Sequence, residues 1–139
     1  MELEGWEAAI VRGLTQVRVY FSDTDQMGVV YNGNYLTWFE IGRTELMRDR
    51  GLSYAAVEGR GVSLPVTEAR FRVRRPALYD DLVQIETRLG RVRTRDLTFL
   101  YKLHARDQLL VEGETTHVAV GKEGGTAIRI PDWLHEGLK

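Results

Sequence analysis

The sequence contains no cysteine. That absence removes disulfides, thiolate metal sites and cysteine nucleophiles together, and it is compatible with a reducing cytosol. Histidine is scarce too: His104, His117 and His135 are scattered, with neither H-x-E nor H-E-x-x-H spacing, so no metal site is expected. The chain lacks G-x-G-x-x-G, G-x-x-x-x-G-K-[ST] and G-x-S-x-G, the anchors of dinucleotide, P-loop and α/β-hydrolase sites. GKEGG (121–125) reads as a hairpin turn, since no helix follows it to cradle a phosphate. No apolar run approaches the roughly 18 residues that span a bilayer. The opening MELEGWEAAIVRGLTQ is acidic where a secretion signal would be basic, so a cytoplasmic chain without membrane insertion is expected. Nineteen basic residues nearly cancel twenty acidic ones, for a net charge of −1. That balance, and the lack of an aromatic–basic platform, argue against a nucleic-acid partner.

What is present suits one packed unit. A chain of 139 residues that is 43% hydrophobic can bury a single core, and no repeat or long linker divides it, so residues 1–139 are read as one domain. TQVRVYF (15–21) alternates as a strand does. In the stretch after it, Tyr35, Phe39, Gly42 and Leu46 recur at helical spacing, with Trp38, Ile41 and Met47 widening the stripe. Asn32 or Asn34 is placed to cap that helix, and Gly51 to end it. A short helical turn is predicted over 53–59. Strands are predicted over 62–75, 82–92, 95–105, 109–121 and 126–130, with Thr67, Ala69, Phe71 and Val73 forming the buried side of the first. Consecutive strands joined by short turns favour an antiparallel sheet. The fold class is therefore α+β: one long helix wrapped by a curved sheet of five or six strands. Its free edges and uncovered face predict a homodimer or homotetramer.

The stretch joining the first strand to the helix, DTDQMG, is more polar than a plain connection needs. It delivers Asp25 to a helix start, where unpaired N–H groups and a partial positive charge can hold an oxyanion. A carboxylate beside such donors is a minimal acyl-transfer site. The competing reading is that Asp23 and Asp25 only make Asx-turns and caps, and the residues alone leave both open.

The run YFSDTDQMGVVYNGNYLTWFEIGRTE resembles the N-terminal signature of hotdog-fold acyl-CoA thioesterases. The nearest type is the 4-hydroxybenzoyl-CoA thioesterase family with its Tol–Pal-associated bacterial relatives. The matching residues are Asp23, Asp25, Gly28, Val29, Val30, Tyr31, Asn34, Tyr35, Phe39, Glu40 and Arg43, and RFRVRRPALYDDLVQIETRL extends the likeness. The resemblance implies a helix wrapped in an antiparallel sheet, acting as a dimer or a dimer of dimers with sites at the subunit interface. It implies hydrolysis of acyl-CoA to acid and CoA without a cofactor. Asp25 takes the place of the catalytic carboxylate, as nucleophile or general base, and the backbone N–H of Asn32, with Gly33 nearby, that of the oxyanion donor. Gly28, Tyr31 and Gly33 fall at substrate, Asp23 becomes a partner of the turn, and Tyr35 packs helix on sheet. Many bacterial members carry His where this chain has Asn32, which shifts that position's contribution to its backbone N–H and side-chain amide.

CoA brings phosphates, so cations are expected at the pocket mouth. Arg91, Arg93 and Arg95 in RLGRVRTR are the candidates, ahead of the cluster at Arg70, Arg72, Arg74 and Arg75. The other reading of these arginines is a solvated strand face paired with Glu68, Asp80, Asp81 and Glu86. Glu40 is expected in a salt bridge, for instance with Arg43. Two alternatives to hydrolysis remain: an acyl-CoA-binding module without turnover, and an enoyl-thioester hydratase. The second usually needs a His–carboxylate pair, and no His lies in or near this turn.

Overall fold

A computed structural model describes residues 1–139, and the predicted stripe is one side of its longest helix, α1 (Gly33–Asp49). Tyr35, Trp38, Phe39, Gly42, Leu46 and Met47 are all buried there, a face wide enough to seat the helix on a sheet. The first strand, β1 (Arg12–Arg18), precedes it. After it come α2 (Tyr54–Gly59), β2 (Val62–Ser63), β3 (Val66–Val73), β4 (Leu82–Val92), β5 (Asp96–Ala105), β6 (Gln108–Val118), β7 (Val120–Gly121) and α3 (Asp132–Gly137). The main sheet is antiparallel with order β1-β4-β5-β6-β3, and β2 and β7 form a separate ribbon. In register, Thr87 faces Tyr101 and Tyr101 faces Gly113, which sets the inner face under the helix.

Four expectations are corrected. The first strand lies three residues earlier than 15–21, because the chain leaves the sheet at Val19, whose N–H donates to Asp81 O, and Phe21–Asp23 coil into a 3-10 turn. The stretch 62–75 breaks at Pro65, which has no N–H for a ladder. Residues 126–130 are no strand: Ala127 makes one isolated bridge to Val120, and Ile130 donates to Thr94 O while burying its side chain. Thr67 and Ala69 are exposed, because α1 packs on β1, β4 and β5 and leaves much of the inner face of β3 bare. Phe71 on that strand reaches the helix, edge-on to Tyr35 and Phe39. Arg70 on β3 and Arg74 just past its end pair across to β6, Arg70 with Glu114 at 3.2 Å and Arg74 with Glu112 at 2.7 Å.

The chain's own first residues cover part of the outer face. Leu3 and Trp6 pack on Leu100, and the Arg88 guanidinium and Lys102 Nζ lie over the Trp6 ring at 4.1 Å and 4.8 Å. On the inner face, helix and sheet meet closely at two glycines. A Cβ at Gly42 would collide with Thr87 Oγ1 and Ile85, and one at Gly113 with the Phe39 ring. No helix is long and apolar enough to cross a membrane.

Candidate active site

The polar turn is locked to the helix start by Asp23. Its Oδ2 accepts the Tyr20 N–H at 2.8 Å, its Oδ1 accepts Asn34 Nδ2 at 3.3 Å, and its carbonyl accepts the Tyr31 N–H at 2.9 Å. Asp25 sits at the bend itself. Its N–H donates to Val29 O at 2.8 Å, and its Oδ1 accepts from Met27 N–H at 2.8 Å and, weakly, from Val29 N–H at 3.4 Å. Gly28 completes the bend at φ +79°, a left-handed conformation that a side chain would strain. Asp25 thus makes the Asx-turn of the plain reading with one oxygen only. Its Oδ2 makes no bond within the chain, and the residue is exposed.

The helix start is open. Asn34 N–H reaches Tyr31 O at 2.9 Å and Tyr35 N–H reaches Asn32 O at 3.2 Å, while the N–H groups of Asn32 and Gly33 find no acceptor in the chain. Neither asparagine caps the helix as expected: Asn32 already has helical dihedrals, and the Asn34 amide is turned back onto Asp23. Two donors without an internal acceptor therefore stand at the positive end of a seventeen-residue helix, which follows the Asp25 turn. The Tyr31 ring lies against Gly33, leaving no room there for a side chain. Met27 and Phe21, 84% and 79% exposed, rim the turn with Tyr79, whose ring centre is 5.6 Å from that of Phe21. Tyr35 packs as expected: it is buried, its Oη accepts the Ala77 N–H at 3.1 Å, and burial pushes its pKa up.

Other expected residues fall elsewhere. Arg91, Arg93 and Arg95 lie exposed in the β4–β5 hairpin, with Arg93 3.7 Å from Asp96. Asp25 is at the Leu82 end of β4, since Asp81 holds Val19 just before the turn; eleven residues of β4, about 33 Å, lie between. Within one chain the hairpin does not meet the turn. Glu40 is exposed and forms no ion pair, because Arg43 turns under the helix and its Nη1 donates to Tyr101 Oη at 3.5 Å. No three His, Cys, Asp or Glu side chains gather where a metal could be held.

The bare inner face of β3 leaves a groove of about 290 Å³ beside α1, lined by Leu36, Thr37, Glu40 and Arg43 from the helix and Val66, Ala69 and Thr115 from the strands. Sequence reasoning missed Thr115 on its floor, and with it the residues that flank Thr115 on the strand. Gly113, Thr115 and His117 alternate on the inner face of β6, and their small or polar character is the signal of a strand face not filled by core. Beneath them runs a buried chain of bonds: Tyr101 Oη to Thr115 Oγ1 at 2.6 Å, Thr115 Oγ1 to His117 Nε2 at 2.8 Å, and His117 Nδ1 to Leu64 O at 2.9 Å. Burial pushes the His117 pKa down from 6.5 to about 4, with Arg43 adding to this against the opposing bond to Leu64 O. His117 is therefore neutral when folded. Below pH 6.5 the unfolded chain takes up a proton that the folded chain refuses, so stability falls with pH until about pH 4. In urea titrations across that window, the wild type should lose about 3 kcal/mol more than His117→Gln. Parallel curves for the two proteins would place the histidine outside this account.

A family model described as the thioesterase-like superfamily matches residues 19–138, which takes in the turn, α1 and the whole sheet beyond β1. YneP of Bacillus subtilis is 31% identical over 123 residues, covering 85% of this chain and 89% of that protein. The acyl-CoA thioester hydrolase YbgC of Shigella flexneri is 35% identical over 105 residues, covering 75% and 78%. The crystal structure of 4-hydroxybenzoyl-CoA thioesterase with 4-hydroxybenzoyl-CoA superposes with a TM-score of 0.85, covering 93% of this chain and 99% of that one; at 22% identity this shows the shared fold. With an open helix start, a carboxylate turn before it and one helix in an antiparallel sheet, the chain belongs to the hotdog-fold, thioesterase-like superfamily.

Proposed function

We infer that this protein hydrolyses acyl-CoA thioesters, with Asp25 as the carboxylate and the N–H groups of Asn32 and Gly33 as the oxyanion hole. The observation that carries the reading is the pairing of a carboxylate oxygen that makes no internal bond, Asp25 Oδ2, with two N–H donors that have no internal acceptor. A thioester carbonyl seated on those donors becomes more electrophilic, and the charge that develops on its oxygen is met by dipoles already in place. Oδ2 then adds to the carbonyl carbon, or takes a proton from the water that does. Either way the C–S bond breaks, CoA leaves as the thiolate, and water supplies the second oxygen of the acid. Asn32 offers its backbone N–H and, since its side chain makes no cap bond to the helix, a side-chain amide beside it.

The working unit is proposed to be a homodimer or a dimer of dimers in the cytoplasm. The apolar rim of Phe21, Met27, Tyr31 and Tyr79 and the open edge of β3 are surfaces a monomer rarely leaves wet. A second copy also answers the distance to the arginine hairpin: Arg91, Arg93 and Arg95 serve a neighbour's CoA phosphates rather than their own chain's. A panel of acyl-CoA thioesters assayed for free thiol tests the reading, and it should show turnover of at least one acyl class. Crotonyl-CoA followed at once for thiol release and for loss of enoyl absorbance separates hydrolysis from hydration. Absorbance loss without thiol would replace hydrolysis by hydration.

A further inference from the structure

Leu36, Glu40 and Arg43 follow one another at helical spacing from the two free N–H groups, and with Val66, Ala69 and Thr115 they line the groove beside α1. From Gly33 to Arg43 the helix axis advances about 15 Å, and helical side chains lean back toward the N-terminus. A groove along this face has room for an acyl chain whose carbonyl rests on the N–H pair, with Arg43 at its far end.

Bond directions at that end are fixed from the interior outward. Leu64 O can only accept, so His117 Nδ1 carries the ring proton and Nε2 accepts. Thr115 Oγ1 must then donate to Nε2, and it accepts from Tyr101 Oη–H. Tyr101 is left with lone pairs only toward Arg43. Both buried hydroxyls have committed their protons inward, and Arg43 is the donor that remains at the end of the groove. It is half-buried, touches Tyr101 at the long distance of 3.5 Å, and belongs to none of the chain's ion pairs. A partly buried guanidinium without a carboxylate is an unmet demand for an acceptor.

We propose that Arg43 sets the acyl preference: the groove takes acyl-CoA thioesters whose far end carries a hydrogen-bond acceptor, above all a carboxylate, with Tyr101, Thr115 and His117 positioning the guanidinium from behind. This rests on the thioesterase reading of Asp25 and the helix start. A carboxylate meets a guanidinium through two parallel N–H···O bonds, and such a charge-assisted pair, partly shielded from water, discriminates by about tenfold to a hundredfold.

The test compares octanoyl-CoA with suberyl-CoA, its counterpart bearing a terminal carboxylate. The wild type should favour suberyl-CoA in kcat/KM, chiefly through KM. In Arg43→Met that ratio should fall about tenfold or more. Arg43→Lys should keep part of the preference, which also covers a failure of the Met variant to fold. Thr115→Val, which removes the hydroxyl behind Tyr101, should lower the ratio several-fold. A wild type that prefers octanoyl-CoA, or a ratio unchanged in both Arg43 variants, overturns the proposal. Should the wild type release thiol from neither substrate, the acyl-CoA panel above still decides the hydrolase reading. Calorimetric binding of the same two thioesters then decides on Arg43: tighter suberyl-CoA binding that is lost in the Arg43 variants supports its role, and equal binding refutes it.

Discussion

Replacing Asp25 by Asn is expected to lower kcat on any hydrolysed acyl-CoA by about 10²- to 10⁴-fold while leaving the fold intact, the range that one positioned base is worth. The substitution isolates chemistry from structure. Met27 and Val29 N–H both donate to a single oxygen, Oδ1, and an amide oxygen in that place still accepts them. What disappears is the charge on Oδ2, and with it the ability to attack a carbonyl or hold a proton from water. Circular dichroism and the melting temperature should match the wild type. Asp23→Asn is the contrasting variant: both Asp23 oxygens accept, one from Tyr20 N–H and one from Asn34 Nδ2, so an amide sets its NH₂ against one donor. It should lose stability by about 1–3 kcal/mol. If Asp25→Asn retained more than half of the wild-type kcat, the catalytic carboxylate would have to be sought elsewhere.

Phe39→Ala is expected to cost about 3–5 kcal/mol, a large share of the roughly 5–15 kcal/mol that hold a domain of this kind together. Phe39 is fully buried, stacked on Tyr101 with centroids 4.2 Å apart, edge-on to Phe71 at 5.9 Å, and seated on the bare backbone of Gly113. Truncation empties the space where α1, β5, β6 and β3 meet, and rigid strands on three sides cannot close over it. Urea denaturation should show a lower midpoint at an unchanged slope. A loss under about 1 kcal/mol would mean that the helix settles into the vacancy, contrary to the close contact at Gly113.

The sequence reading was strongest where one physical pattern ran uninterrupted. The α1 stripe spans about three turns and every residue of its central row is buried, because a helix on a sheet must present one apolar side. Leu82–Val92 is legible with its true limits, since Asp80 and Asp81 precede a long alternation and the polar turn Arg93–Arg95 follows it. Failures came where tertiary context decides. Ile128 and Ile130 carry strand-like alternation, yet they serve a strap with a single bridge, and only the position of Val120 and Thr94 could reveal that. DWLHEG is one and a half turns after Pro131, too short for a helical period to register. Ala69 looks like core in sequence; it is open because α1 lies off-centre, a property of packing and not of β3. At the site, the turn residues were legible through their type and spacing. Thr115, His117 and Tyr101 were not, because their association depends on strand register between β5 and β6.

Gly42 and Gly113 have a consequence beyond tight packing. Neither lines the groove, yet together they act as the spacer between its two walls: Gly42 sets how deeply α1 rests on β4, and Gly113 how far the Phe39 ring sinks toward β6. A methyl group at either would lift the helix as a shim lifts a beam and change the bore of the channel along its whole length. On the groove assignment proposed above, chain-length selectivity is set in part from beneath, by residues outside the groove lining.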